Sequence, residues 1–203
     1  MGYASNVQTI ELWFDYSCPY AYLASTQADA LAARTGARLV WKPMLLGGVF
    51  AARATPQNLA GTLGPAKARH MMADLARWAD QFGVPLVMPA EHPRRTVEAL
   101  RATLARGCDP AVIHAFYRAY WVEGRAVEDD AVVRDIAGDH DLSAWRDDLR
   151  ARTDEAIALG IFGAPTFKVG DELWWGQDRM HFVERDLVER HLAEKALTHG
   201  NAE

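Results

Sequence analysis

A chain of 203 residues, half of them hydrophobic, can bury one sizeable core, as one domain or one domain with a large insertion. Its 27 acidic and 22 basic side chains leave a net charge of -5, which excludes nucleic acid and anionic membranes as main partners, since both need a basic face. No run reaches the ~20 apolar residues of a membrane-spanning helix, residues 1 to 7 show no secretory leader pattern, and two cysteines make no disulfide framework, so a soluble cytoplasmic protein is expected.

Residues 8 to 15 read as a first strand. Pro19 suits the first turn of a helix, Ala24, Ala28, Leu31 and Ala32 recur at helical spacing, and Gly36 closes it. Residues 37 to 42 read as a second strand, and this β-α-β start implies a parallel pair. Gly47-Gly48 and residues 55 to 65, rich in Gly, Pro and Asn, read as loop. Helices follow over 65–82, 93–106, from Asp109-Pro110 to Gly124, over 128–137, and from a Ser143 cap to Leu159. Residues 165–169 and 172–175 flank Gly170-Asp171 as a hairpin, and 178–196 form a last helix. The order predicts an α/β fold, β-α-β then β-β-α on one small sheet. Its sheet domain spans 8–52 and 161–198, and an all-helical insertion domain spans 53–160.

Cys18 closes the turn Phe14-Asp15-Tyr16-Ser17-Cys18-Pro19-Tyr20-Ala21, at a strand-to-helix junction. Ala21 stands where a redox motif carries its second cysteine, so no disulfide forms within the motif. A helix N-terminus offers free N–H groups and partial positive charge, which predicts a thiol of lowered pKa. The bland alternative is a buried small hydrophobe, the reading also given to Cys108. At the other end, Ala164-Pro165 opens a strand. A cis bond there would leave the Ala164 backbone turned outward, able to pair with a peptide-like ligand. Asp139-His140-Asp141 lacks metal-ligand spacing, and no metal is expected.

Three motifs together carry a resemblance over nearly the whole chain: Phe14-Asp15-Tyr16-Ser17-Cys18-Pro19-Tyr20-Ala21-Tyr22-Leu23, Ile161-Phe162-Gly163-Ala164-Pro165-Thr166, and Trp174-Trp175-Gly176-Gln177-Asp178-Arg179. The chain resembles the 2-hydroxychromene-2-carboxylate isomerases and kappa-class glutathione transferases, in the DsbA-like branch of the thioredoxin superfamily. The resemblance implies a thioredoxin-like fold, glutathione as cofactor, and glutathione-dependent cis-trans isomerisation of an aromatic 2-oxo-alkenoate by reversible thiol addition. It also implies roles for residues. Ala164, before Pro165, would pair with the cysteinyl part of glutathione. Gln177 and Asp178 would hold its cationic γ-glutamyl end, or cap a helix. Asn58 would reach its backbone, and Lys67 its glycyl carboxylate. Arg179 has a structural ion pair as its alternative.

The family's usual residue at the Cys18 position is serine. A thiol donates a weaker hydrogen bond and attacks better, so Cys18 is open to three roles: donor to the glutathione sulfur, mixed-disulfide partner, or attacking thiol. The alternative activities are a DsbA-like monothiol disulfide oxidoreductase and a kappa-type glutathione transferase or peroxidase using Cys18. The substrate carboxylate would fall to His92, Arg94 or Arg95, against a solvated loop as the alternative for the arginines. Tyr20, Phe50, Trp41 and Trp121 are candidates for an aromatic pocket or for ordinary core. The resemblance also implies a homodimer.

Overall fold

A computed structural model describes residues 7–58 and 60–200; the leader reading of residues 1 to 6 lies outside them. Strand β1 (Thr9–Phe14) is the hub of the sheet. Its Leu12, Trp13 and Phe14 are fully buried, as expected of a strand covered on both faces. It pairs in parallel with β2 (Arg38–Pro43), with Leu12 opposite Trp41. On its other side it pairs antiparallel with β3 (Thr166–Val169), with Trp13 opposite Thr166. The hairpin to β4 (Glu172–Trp175) completes the order β2-β1-β3-β4.

Helix α1 (Pro19–Thr35) links β1 to β2. Proline in its first turn removes an N–H that would have had no helical partner, and Gly36 ends it at φ +67°. Its Leu23, Ala24, Ala28 and Leu31 are buried, so the small residues at helical spacing form the face turned inward. Helices α3 (Pro65–Phe82), α4 (Val97–Ala105), α5 (Pro110–Trp121), α6 (Asp130–Ala137) and α7 (Arg146–Ala158) follow before β3, and α8 (Met180–Gly200) closes the chain.

Three local expectations are corrected. Gly47-Gly48 is not loop but lies in helix α2 (Leu46–Ala52), whose Leu46 and Val49 are buried. Burial outweighs the roughly 1 kcal/mol that each glycine costs a helix. Helix α4 begins at Val97 rather than Pro93, because Thr96 is held by a distant side chain described below. Ser143 does not cap α7. Asp141 caps a short 3-10 turn, Leu142–Trp145, that precedes it.

An aromatic core joins β1 to the helices. Tyr16 lies 5.3 Å from Phe116 and 4.9 Å from Tyr117, and Phe14 lies 5.8 Å from Tyr117, centroid to centroid. Trp121 Nε1 donates to Tyr16 O at 2.8 Å, and the Tyr16 hydroxyl meets Thr103 Oγ1 at 2.6 Å. Trp41 and Trp121 are therefore part of the buried core. Removing the fully buried Phe116 ring opens a cavity between α5 and the end of β1. Phe116→Ala is expected to lower the unfolding free energy by about 3–5 kcal/mol, read as an earlier midpoint in urea denaturation.

Candidate active site

Asp15 is the last residue before the turn that carries Cys18, and it is 1% exposed. Its Oδ1 accepts from Ser17 N (2.9 Å), Ser17 Oγ (3.0 Å) and Thr96 Oγ1 (2.7 Å). Its Oδ2 accepts from Leu46 N (2.8 Å), at the start of α2. Burial still pushes its pKa above the ordinary carboxylate value, against the lowering effect of those donors. One carboxylate thus ties the Cys18 turn to the first residues of α2 and α4.

Cys18 stands at the N-cap of α1, and the N–H groups of Ala21 and Tyr22 donate to its carbonyl. Its side chain is turned inward, 9% exposed, and Sγ donates to Ala164 O at 3.0 Å. The expected low pKa is overturned: burial pushes the thiol up to about 12, and the Asp15 charge adds to the rise. The backbone N–H groups of Ala21 and Tyr20 pull the other way and lose. Desolvation outweighs the helix N-terminus, so Cys18 is a neutral thiol at physiological pH.

The Ala164-Pro165 bond is cis, and Ala164 is buried. Its carbonyl holds the Cys18 proton, while its N–H has no hydrogen-bond partner among the described residues. Gln177 is 5% exposed, and its side-chain amide likewise makes no hydrogen bond there. Two unpaired polar groups on adjoining segments fit a peptide-like ligand. Asp178 caps nothing; its carboxylate pairs with Arg179, which realises the structural alternative for that arginine. Tyr20, half-buried, donates to Asp74 Oδ2 of α3 at 3.2 Å. Its pKa is raised by burial first, then by the charge and hydrogen bond of Asp74 and by the charges of Cys18 and Asp178.

The other candidates have partners or exposure of their own. Asn58 is exposed, and its Oδ1 accepts from Gly61 N at 2.9 Å, which leaves its amide NH2 available. Lys67 is exposed on the first turn of α3 and forms no ion pair among the described residues. Phe50 is half-buried on α2. His92 meets the Tyr120 hydroxyl at 3.0 Å and packs on Trp121, with ring centroids 5.1 Å apart. Burial lowers its pKa, so the ring is neutral near pH 7 and offers a carboxylate no charge. Arg94 is not solvated: it is engaged by Glu128 (2.9 Å) and Glu91 (3.0 Å). Arg95 is 65% exposed and pairs with Glu98 at 2.9 Å. Neither His92 nor Arg95 forms a hydrogen bond or ion pair with Cys18, Ala164 or Gln177. Residues missed in the sequence are Asp15, Thr96 and Asp74. An acid at a strand end, Asp15, was the one signal that could have drawn notice.

A thioredoxin-type sheet, a cysteine at the first helix start and a cis-proline facing it define a thioredoxin-fold protein that lacks the second cysteine. Residues 9–188 match the DSBA-like thioredoxin domain, and the chain belongs to that family. It is 32% identical over 201 residues to the 2-hydroxychromene-2-carboxylate isomerase of Sphingobium xenophagum, covering 90% of this chain and 99% of that one. It is 30% identical over 193 residues to the enzyme of the same name from Pseudomonas putida, covering 86% and 92%. The kappa 2 glutathione S-transferase of Caenorhabditis elegans is 26% identical, covering 91% and 93%. Among solved structures, a 2-hydroxychromene-2-carboxylate isomerase superposes with a TM-score of 0.74 at 27% identity, covering 93% of this chain and 98% of that one.

Two outcomes test the site. Iodoacetamide is expected to leave Cys18 of the native protein unmodified at pH 8, as read by peptide mass spectrometry, and to modify it rapidly in urea. Because the folded thiol keeps its proton above the unfolded value of 9.0, its contribution to stability is complete below pH 9 and lost as pH climbs towards 12. Asp15→Ala strands Leu46 N and the Thr96 hydroxyl and is expected to cost about 3 kcal/mol or more of unfolding free energy by urea titration.

Proposed function

We propose that this chain is a glutathione-dependent cis-trans isomerase of the 2-hydroxychromene-2-carboxylate type, acting on an aromatic 2-oxo-alkenoate. The observation that carries the reading is a protonated, buried Cys18 thiol against Ala164 O, in a chain similar along its length to isomerases of that name. Two alternative chemistries that need a Cys18 thiolate, monothiol disulfide exchange and direct attack on the substrate, are disfavoured by the same proton.

Glutathione, when bound, supplies the thiol whose reversible addition makes the substrate double bond a rotatable single bond. The chain's own residues bind and orient. Ala164 N–H and the Gln177 amide are the unpaired groups that suit the peptide part, and the exposed Asn58 and Lys67 are the proposed contacts for its backbone and glycyl carboxylate. Asp178 shares its charge between Arg179 and the ligand's amine. Cys18 acts as hydrogen-bond donor to a thiolate sulfur, by turning its S–H away from Ala164 O. The burial of Cys18 and Ala164 keeps water from that bond. Tyr20 and Phe50, with His92 and Arg95 further out, complete the proposed substrate side. We assign glutathione handling to residues 8–52 and 161–198, substrate enclosure to the helices of 53–160, and the whole to the cytoplasm. A kappa-type transferase is the second reading, favoured by the similarity to the Caenorhabditis elegans protein.

Conversion of 2-hydroxychromene-2-carboxylate, followed by ultraviolet absorbance, is expected only when glutathione is added. Cys18→Ser, with a stronger donor, should keep or raise kcat, whereas Cys18→Ala should lower it by about tenfold or more. Turnover without glutathione, or its complete loss in Cys18→Ser, would return Cys18 to the role of nucleophile. No turnover by the wild type would sink the isomerase reading.

A further inference from the structure

Most aromatic side chains of this protein have a packing role. Among the described Phe, Tyr and Trp residues only Phe162 and Trp175 are exposed, at 52% and 53%. They are neighbours, with ring centroids 5.1 Å apart and planes tilted by 55°. Exposed aromatic surface is costly in water, and when clustered it commonly marks a binding site.

Their position says which site. Phe162 stands two residues before Ala164, and Trp175 two before Gln177, so each ring ends a segment that carries an unpaired polar group. The segments are fastened together: Trp175 pairs with Thr166 in the sheet, and Gly176 N donates to Pro165 O at 2.9 Å. The Trp175 indole rests on Gly163, where a Cβ would stand only 2.7 Å from Nε1. Arg53 Nε donates to Ile161 O at 3.2 Å and fixes the chain just before Phe162. The pair is therefore a held platform, continuous through Ala164 with the Cys18 thiol.

We propose that Phe162 and Trp175 form the aromatic subsite of the Cys18 site, taking the ring of a conjugated aryl 2-oxo acid by stacking. This rests on the isomerase reading and names the part of the protein that recognises the ring. Of the four aromatic residues that the sequence offers for this task, Trp41 and Trp121 are enclosed in the core, and Tyr20 and Phe50 are half-buried. A tilted pair of rings presents an open face to a planar conjugated ligand in the offset geometry that aromatic groups favour. The platform is neutral, so it discriminates by the ring and not by the carboxylate.

The test compares two acids that differ in one group: benzylidenepyruvate, which carries a phenyl ring, and 2-oxo-3-pentenoate, which carries a methyl. Dissociation constants are measured by titration calorimetry without glutathione, so that turnover does not intervene. The wild type should bind the phenyl acid about tenfold or more tightly than the methyl acid. Trp175→Ala and Phe162→Ala should each remove most of that preference and leave the methyl acid unchanged, while Trp175→Phe should keep much of it. Circular dichroism identifies any variant that has not folded, and Trp175→Leu, which keeps apolar bulk without an aromatic face and should lose the preference, then carries the comparison. Equal binding of the two acids by the wild type, binding of neither, or equal loss of both in the variants overturns the proposal. So does a wild-type dimer in sedimentation that Trp175→Arg dissociates, since a second copy would then cover the platform. Failure of the isomerase reading is read separately, as absent turnover of 2-hydroxychromene-2-carboxylate with glutathione by the wild type.

Discussion

The buried carboxylate of Asp15 holds the site together. A charge without water must be met by donors, and here they come from the Cys18 turn, from the first residue of α2 and from the residue that opens α4. Moving any of these segments would leave the charge or its donors unpaired, so the surroundings of Cys18 are set by one residue. Asp15 lies in the chain between Phe14 and Tyr16, whose rings pack with Tyr117 in the buried core, and that burial supplies the low-polarity medium in which the arrangement is strong.

That same medium decides the state of Cys18. A helix N-terminus favours an anion by about 0.3–1 kcal/mol at exposed positions. The rise of the thiol from 9.0 to about 12 corresponds to roughly 4 kcal/mol in the opposite sense, at about 1.4 kcal/mol per unit. Burial therefore wins, and a cysteine placed as a nucleophile behaves as a neutral donor. The partner it has chosen, Ala164 O, is the group before the cis-proline, so thiol and backbone are already in contact across the mouth of the site. The unpaired Ala164 N–H and the Gln177 amide lie on the two segments that meet there, next to the exposed rings of Phe162 and Trp175.

Much of the architecture was readable from local pattern. Pro19 and Gly36 bracket α1, Asp109 and Pro110 open α5, and Gly83 ends α3, because caps and breakers act within a turn of the residues they govern. Where local rules misled, a distant contact had intervened. Gly47 and Gly48 are helical because Leu46 and Val49 are buried, and α4 starts late because Thr96 reaches Asp15 across 81 positions of sequence. Arg94, read as a loop cation, is neutralised by Glu128, 34 positions away.

By itself the sequence determined the order of strands and of the helices other than α2, the lone cysteine at a helix start with Ala21 in place of a partner, and the motifs that mark the family. These are properties of residue type and short spacing, and they need no knowledge of what folds against what. Only the tertiary structure decided that the Cys18 proton stays on, that Asp15 gathers three segments, and that Phe162 and Trp175 remain in water while Trp41 and Trp121 do not. Solvation is the reason. The free energy of a charge or a ring depends on every group that displaces water around it, and those groups are brought together from positions that the chain order keeps far apart.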